Sequence, residues 1–189
     1  QHFDIQYTGE DGEEHTPLLL HTSISGAIDR NLAAILEVEA MKRDKGGKPT
    51  LPFWLSPTHT RFLPVSDEYH DKAIELAAAI HDMGGRADVD DSSNGIGKKI
   101  RTAEKEWVPL IAVVGEKEAA SELFDLRVRK ADWLGKAGMS LDEDEGQSLG
   151  NFTVGWPALV NLIEANLQGQ PRARLPLPVK LTERPVFRG

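Results

Sequence analysis

The stretch from Phe53 to Asp91 is the part of the chain that most restricts its fold. It predicts a strand at 60–65, an amphipathic helix at 67–83, a stop at Gly84-Gly85 and a second strand at 86–90. A strand, a helix and a second strand in this order form a βαβ-type unit, which requires a partly parallel sheet. The sequence therefore predicts an α/β protein.

A basic helix is predicted next, at 96–106, after the polar and Gly-bearing loop 91–97. Ile96, Ile100 and Ala103 recur at helical spacing and are predicted to face the core. The positive side chains of this helix are predicted to face solvent, and they are Lys98, Lys99, Arg101 and Lys105.

The following segments extend the unit into a mixed sheet of about five strands flanked by helices. The apolar run 108–114 predicts a buried central strand, and clean alternation predicts a two-faced strand at 123–129. Residues 131–147 are predicted to form a polar excursion. An edge strand at 148–154 and a helix that opens at Trp156-Pro157 complete the prediction.

The N-terminal part has a different character. Alternation at 3–8, a Gly9–Gly12 turn and the segment 15–21 predict a β-hairpin. A helix with one apolar face follows Ser23. This hairpin and helix are too small to bury that face, so the apolar surface is expected to be exposed.

Composition excludes several classes of protein. The chain of 189 residues contains no cysteine, so a disulfide framework and a cysteine-only metal site are excluded. No apolar run approaches the roughly 18–20 residues that span a bilayer, and the first residues lack signal-peptide character. A net charge of −8 argues against a non-specific nucleic-acid binder, although positive residues cluster locally. A cytoplasmic protein without a membrane partner is expected.

Three sets of residues are candidates for binding. Arg30 near a helix start suits a phosphate and His21 at a strand end suits a metal, but both also fit an ordinary surface. The loop 91–97 offers backbone N–H groups to an anion, or it simply caps a helix. Glu118 and Arg127 suit the edges of an unpaired nucleotide, or they form a surface salt bridge. No nucleophilic triad and no acid–base carboxylate pair is evident.

Several motifs resemble one known family. HTSISGAIDRNLAAILE at 21–37 resembles motif 3 of the class II aminoacyl-tRNA synthetases. PFWLSPTHTRFLPVSDEY at 52–69, with the βαβ pattern behind it, is similar to the class II anticodon-binding domain. YTGEDGEEHTPLLLH and NGIGKKIRTAEKEWVPLIAVVGEKE look most like threonyl-tRNA synthetases, and KLTERPVF is similar to their archaeal branch. The resemblance covers nearly the whole chain.

This resemblance implies roles for individual residues. Arg30 falls at the motif 3 arginine that binds ATP. His21 falls at one of the three protein ligands of a zinc ion that binds threonine. Glu118 and Arg127 fall at positions that read the anticodon. Ser93 falls where bacterial members have an asparagine that contacts the anticodon. ATP with Mg and zinc are thus implied for the full enzyme, and this chain is not expected to bind them tightly.

The resemblance also implies an organisation and an activity. Residues 1–41 are expected to be the end of a catalytic core, 42–50 a linker, 51–168 an anticodon-binding domain and 169–189 an extended proline-rich tail. The full enzyme, expected to be a homodimer, would join threonine to threonine tRNA through an adenylate, and this chain alone is expected to be inactive. The alternatives are a prolyl, glycyl or histidyl synthetase, a non-enzymatic RNA-binding or accessory protein, or a small-molecule-binding α/β domain.

Overall fold

The computed structural model describes residues 5–121, 123–142 and 149–185. The chain divides into two compact units, Gln1–Glu37 and Val38–Gly189. Among the helices of the described part, none has both the length and the apolar character needed to cross a bilayer.

The first unit contains a short hairpin. Strands β1 (Tyr7–Thr8) and β2 (Glu14–His15) pair in antiparallel fashion, and helix α1 (Ile28–Asp44) begins after them. The second strand is shorter than predicted, because residues 16–20 pair with no strand of the described chain, and residues 3 and 4 of the first predicted strand lie outside the described residues. The predicted exposure of apolar residues is confirmed, and it includes Leu18, Leu19, Leu20, Ile24, Ile28, Leu32 and Leu36.

The second unit is built on one five-stranded mixed sheet. Its strand order is β4-β3-β5-β6-β7, in which β3 runs parallel to β4 and β5 while β6 and β7 are antiparallel to their neighbours. The predicted fold class is therefore confirmed. Its elements are β3 (Thr60–Pro64), α2 (His70–Asp82), β4 (Ala87–Val89), α3 (Ile96–Lys105), β5 (Leu110–Val114), α4 (Glu116–Ser121), β6 (Leu123–Val128), α5 (Ala131–Lys136), β7 (Phe152–Gly155) and α6 (Trp156–Leu167).

Helices cover the sheet on both faces, but unequally. Helices α2, α5 and α6 bury the larger core, in which Phe62 and Phe124 are wholly inaccessible. Helix α3 covers a smaller core around Leu63 and Ile111 on the other face. Strand β6 alternates buried and exposed residues as predicted, since Leu126 is buried and Asp125 is exposed. The outward face of β6 is therefore accessible to a ligand.

Local chemistry explains where α2 ends. Gly84 has a φ of +83°, which glycine adopts without the steric cost of a side chain. Its N–H donates to the His81 carbonyl and the Gly85 N–H donates to the Ile80 carbonyl, each at 2.9 Å. These bonds satisfy the last carbonyls of the helix, so the predicted Gly-Gly stop is confirmed.

The prediction of a polar excursion at 131–147 missed helix α5. Trp133 and Leu134 of this helix are buried in the larger core. Helix α5 has only six residues, which is too short for a periodic pattern of apolar residues to be recognised. Residues 143–147 of that segment, and residue 148 of the predicted edge strand, lie outside the described residues.

The tail is extended and packs on the edge of the sheet. Val89 of β4 donates its N–H to the Val179 carbonyl at 2.9 Å and forms a parallel bridge with Lys180. A 3₁₀ turn at Leu181–Glu183 follows. The tail therefore pairs with β4, which is otherwise an edge strand of the sheet.

Candidate functional site

Glu118 lies in α4, directly after the central strand β5. Its Oε2 accepts a hydrogen bond from the Gly115 N–H at 2.8 Å, while the Gly115 carbonyl accepts from the Ala119 N–H at 2.9 Å. This is the arrangement of a helix N-terminus in which an acid satisfies a free backbone donor. The cap fixes the direction of the half-buried carboxylate and needs only one of its two oxygens.

Arg127 lies on the outward face of β6, opposite Ile111 of β5. Its Nη1 is 3.7 Å from Oε1 of Glu104 on α3, and its side chain is 39% exposed. A single contact of this length between exposed groups holds the guanidinium only weakly. Arg127 can therefore turn its donors toward a ligand at little cost.

The structure separates Glu118 and Arg127 along the direction of the strands. Arg127 is level with Ile111, three residues before the end of β5 at Val114, and Glu118 lies beyond that end. Three residues of strand span about 10 Å. The ion pair in which Arg127 takes part is with Glu104, so Glu118 and Arg127 are placed to contact separate parts of a ligand.

Ser93 lies in the loop that follows β4. Because β3, β4 and β5 are parallel, this loop lies at the same edge of the sheet as Gly115. The Asp90 carboxylate organises the loop by accepting from the Ser92 N–H at 3.1 Å and from its hydroxyl at 2.6 Å. The Ser93 side chain itself is exposed.

The tail anchors the same loop at Asp91. The Asp91 carboxylate accepts hydrogen bonds from the backbone N–H of Thr182 at 3.0 Å and from its hydroxyl. Burial opposes ionisation of Asp91, but the bonds from Thr182 outweigh it and hold the pKa of that carboxyl below its ordinary value. An ionised Asp91 thus keeps the loop fixed to the tail.

The prediction that every basic side chain of α3 faces solvent is wrong for Lys99. Its Nζ donates to the carbonyls of Pro64 and Asp90 at 3.0 and 2.9 Å, and the residue is only 4% exposed. The carbonyls at the ends of two adjacent parallel strands are left free by the sheet, and the long lysine stem reaches them. Lys99 therefore joins the strand ends. The other three basic residues, Lys98, Arg101 and Lys105, are exposed as predicted.

His21 and Arg30 belong to the first unit, and both are exposed. His21 lies in a segment without regular structure, and Arg30 lies in the first turn of α1. Within the described residues no group of three or more His, Cys, Asp or Glu side chains could hold a metal ion. The metal and ATP roles of these two residues stay predictions.

A buried ionic cluster that was not predicted from the sequence joins β3 to β4. Arg61 donates from Nε and Nη2 to Asp88 at 2.7 and 3.0 Å, and it also contacts Glu106 at 2.5 Å. Arg184 of the tail contacts the same Asp88 at 3.0 Å. Asp88 is a polar residue at an inward position of the predicted strand 86–90, which was the one available signal.

A small cleft adjoins Arg127. It has a volume of about 50 Å³. That space holds one or two water molecules and is too small for a nucleobase. A base read by Arg127 would therefore rest on the open face of β6. The residues that line the cleft are Lys48, Glu104, Val108, Ile111, Arg127, Val128, Arg129, Leu149 and Gly150.

The mixed sheet with its polar edge defines a class of protein. Residues 60–144 match the family model described as "Anticodon binding domain", so this part of the chain is a class II anticodon-binding domain. The threonine–tRNA ligase of Pyrococcus furiosus is 43% identical over 189 residues, and that of Pyrococcus horikoshii is 42% identical over the same length. Over its whole length this chain is similar to threonine–tRNA ligases.

The match is complete for this chain and partial for its relatives. It covers 100% of this chain but 28% of each of these two ligases, and it corresponds to their C-terminal region. A solved threonyl-tRNA synthetase from Aeropyrum pernix superimposes with a TM-score of 0.54 at 20% identity, covering 83% of this chain and 33% of that one. This last likeness concerns the fold alone.

Proposed function

We propose that this chain binds the anticodon loop of threonine tRNA. The observation that carries the proposal is the polar surface of an anticodon-binding domain, on which Glu118 beyond the end of β5 presents a carboxylate and Arg127 on the outward face of β6 presents a guanidinium. Unpaired loop bases expose their hydrogen-bonding edges to such groups. The names of the relatives support threonine as the amino acid, in preference to proline, glycine or histidine.

The geometry suits Glu118 and Arg127 to different contacts with the RNA. Glu118 is fixed by its cap on Gly115 and accepts hydrogen bonds, which suits the amino group of a base. Arg127 donates, and its weak contact with Glu104 leaves it adaptable. Because the two lie about 10 Å apart in height along the sheet, each is assigned a different nucleotide. Ser93 is proposed as a further contact from the neighbouring loop.

The activity of the longer protein is part of the proposal. It would attach threonine to tRNA through an adenylate made from ATP, with Arg30 contacting ATP and His21 serving as one zinc ligand. The described residues do not fit a closed zinc site, because they contain no group of three potential ligands. The 189-residue chain by itself is expected not to charge tRNA.

Two further properties of the longer protein are inferred from its family. We infer that it is a homodimer and that it works in the cytoplasm, where its tRNA substrate is found. Sedimentation of the longer protein checks the first inference, and cell fractionation checks the second.

The experiment compares binding of the chain to the anticodon stem-loop of threonine tRNA and to stem-loops with single anticodon changes. Arg127→Ala and Glu118→Gln should each abolish discrimination at one anticodon position, at about 1–3 kcal/mol, or roughly 5- to 150-fold. Arg101→Ala, an exposed change of the same charge on α3, is the control and should leave discrimination intact. Equal weakening for every anticodon, or no effect, would contradict the proposal.

A further inference from the structure

The C-terminal tail makes a turn beside β4 that is held on both sides. Before the turn, the Val89 N–H of β4 donates to the Val179 carbonyl at 2.9 Å. After the turn, Nη1 of Arg184 lies 3.0 Å from Oδ2 of the buried Asp88, also in β4. The 3₁₀ turn Leu181–Glu183 lies between these two contacts, so both of its ends are fixed to the same strand.

Arg184 also closes the turn within the tail. Its Nε donates to the Pro178 carbonyl at 3.0 Å, so one guanidinium bonds both to the segment before the turn and to β4. Pro176 and Pro178 restrict the backbone of that segment, because the proline ring fixes φ. A restricted segment loses little conformational entropy when it is held in place. The tail therefore presents the residues of the turn in one position.

Thr182 of this turn bonds to the loop 91–97, which follows β4. Its backbone N–H donates to Oδ1 of Asp91 at 3.0 Å, and its hydroxyl donates to Oδ2 of the same carboxylate. Two bonds from one residue fix both the position and the direction of the carboxylate. The first residue of the loop is thus attached to the tail.

The other bonds of this loop are local. The Asp90 carboxylate accepts from the N–H and the hydroxyl of Ser92, and the Asn94 side-chain amide donates to Oγ of Ser92 at 3.0 Å. Of the hydrogen bonds that residues 91–95 make within the described part of the chain, those from Thr182 are the ones that come from a distant segment. The attachment of the loop at this point therefore depends on the tail.

This attachment determines where Ser93 lies. Ser93 is two residues from Asp91, and its side chain is exposed at the edge of the sheet that also carries Gly115. A group that is already ordered pays less conformational entropy on binding than a mobile one, and it holds one geometry toward its ligand. A fixed loop therefore distinguishes a correct base from an incorrect one better than a mobile loop does.

We propose that Thr182 is a positioning residue for anticodon reading, which holds the loop 91–97 in the conformation that places Ser93 against one nucleotide. This inference rests on the proposed function, and it gives the tail a part in specificity without any contact between the tail and RNA. Because Thr182 acts through the loop, its loss should affect the nucleotide that Ser93 contacts and leave the reading of the other nucleotides unchanged.

The test measures dissociation constants of the chain for the threonine anticodon stem-loop and for stem-loops with single anticodon changes. Ser93→Ala first identifies the anticodon position whose discrimination depends on the loop. Thr182→Val removes the hydroxyl bond to Asp91 and keeps the size of the side chain. It should lower discrimination at that same position roughly fivefold or more, the lower end of what one base contact is worth.

Three further variants separate positioning from a general structural role. Thr182→Ser keeps the hydroxyl and should retain discrimination. Thr153→Val is the matched control, because Oγ1 of Thr153 also donates to an exposed carboxylate, that of Asp125 at 2.9 Å, and it should leave discrimination at the Ser93 position intact. The double variant Ser93→Ala with Thr182→Val should lose no more discrimination than Ser93→Ala alone, since both changes remove one contact. Thermal unfolding of each variant checks that the fold is retained.

The outcomes distinguish this inference from the proposed function. Full discrimination in Thr182→Val, with an unmodified chain that discriminates, would overturn the positioning role alone. Additive losses in the double variant, or an equal loss at every anticodon position, would also overturn it, because Thr182 would then not act through Ser93. Full discrimination in Ser93→Ala would do the same, since the loop would read no base. An unmodified chain that does not discriminate between anticodons would overturn the proposed function together with the positioning role.

Discussion

His59 makes the stability of the second unit depend on pH. Its side chain is fully buried and stacks on Phe53 with ring centroids 4.8 Å apart. Arg86 flanks both ring nitrogens, because its backbone N–H donates to Nδ1 at 3.1 Å and its Nη2 lies 2.7 Å from Nε2. A second ring proton would face a donor. Burial first, and the charge of Arg86 next, lower the pKa of His59 to about 3.

The sign and size of the effect follow from this shift. The unfolded chain takes up a proton at His59 near pH 6.5, whereas the folded chain resists it until about pH 3. The stabilisation is therefore complete above pH 6.5 and is lost as the pH falls through that window. At pH 5 the loss attributable to His59 is about 2 kcal/mol relative to pH 7.5.

The assay is urea unfolding followed by tryptophan fluorescence at pH 7.5 and pH 5. The variant His59→Gln lacks the titrating group. Between pH 7.5 and pH 5 its free energy of unfolding should therefore fall by about 2 kcal/mol less than the free energy of unfolding of the unmodified chain does. His81, whose pKa is also lowered by burial, is present in both proteins and cancels in the comparison. The same pH dependence in both proteins would refute the reasoning.

Two further predictions concern the packing around the site. Asp88→Asn should destabilise the chain by about 3–5 kcal/mol in chemical unfolding, because it removes the buried carboxylate that pairs with the buried Arg61 and leaves only the exposed Glu106 beside it. Glu75→Gln, which removes an exposed pair, should have no measurable effect. Gly85→Ala should cost about 1–3 kcal/mol in the same assay, because its Cβ would lie 2.6 Å from Cγ2 of Ile80. Gly97→Ala meets no atom within 4 Å in α3 and should not destabilise; equal costs at the two glycines would contradict the packing argument.

Local periodicity was sufficient to predict the framework of the second unit. The amphipathic helix predicted at 67–83 is confirmed by α2, in which Ala73, Leu76 and Ile80 recur at helical spacing and are all buried. The alternation of β6 is confirmed for the same kind of reason, since each face of a strand meets a different environment. The mixed sheet follows from these elements and their connections.

Long-range contacts could not be predicted from local patterns. Lys99 has the charge of a surface residue, yet it is buried because Pro64 and Asp90 place free carbonyls beside it. The pairing of Arg61 with Asp88 joins residues far apart in sequence. The height difference between Glu118 and Arg127 depends on the register of β6 against β5, which no local signal specifies.

The second unit is proposed to read the anticodon with the polar surface that carries Glu118 and Arg127. The most direct measurement is the ratio of dissociation constants of the unmodified chain for two stem-loops that differ only at one anticodon base. We expect the stem-loop with the threonine anticodon to bind at least roughly tenfold more tightly than the altered stem-loop, because the altered base loses one hydrogen-bonding contact with the protein. Equal dissociation constants for the two stem-loops would contradict the claim.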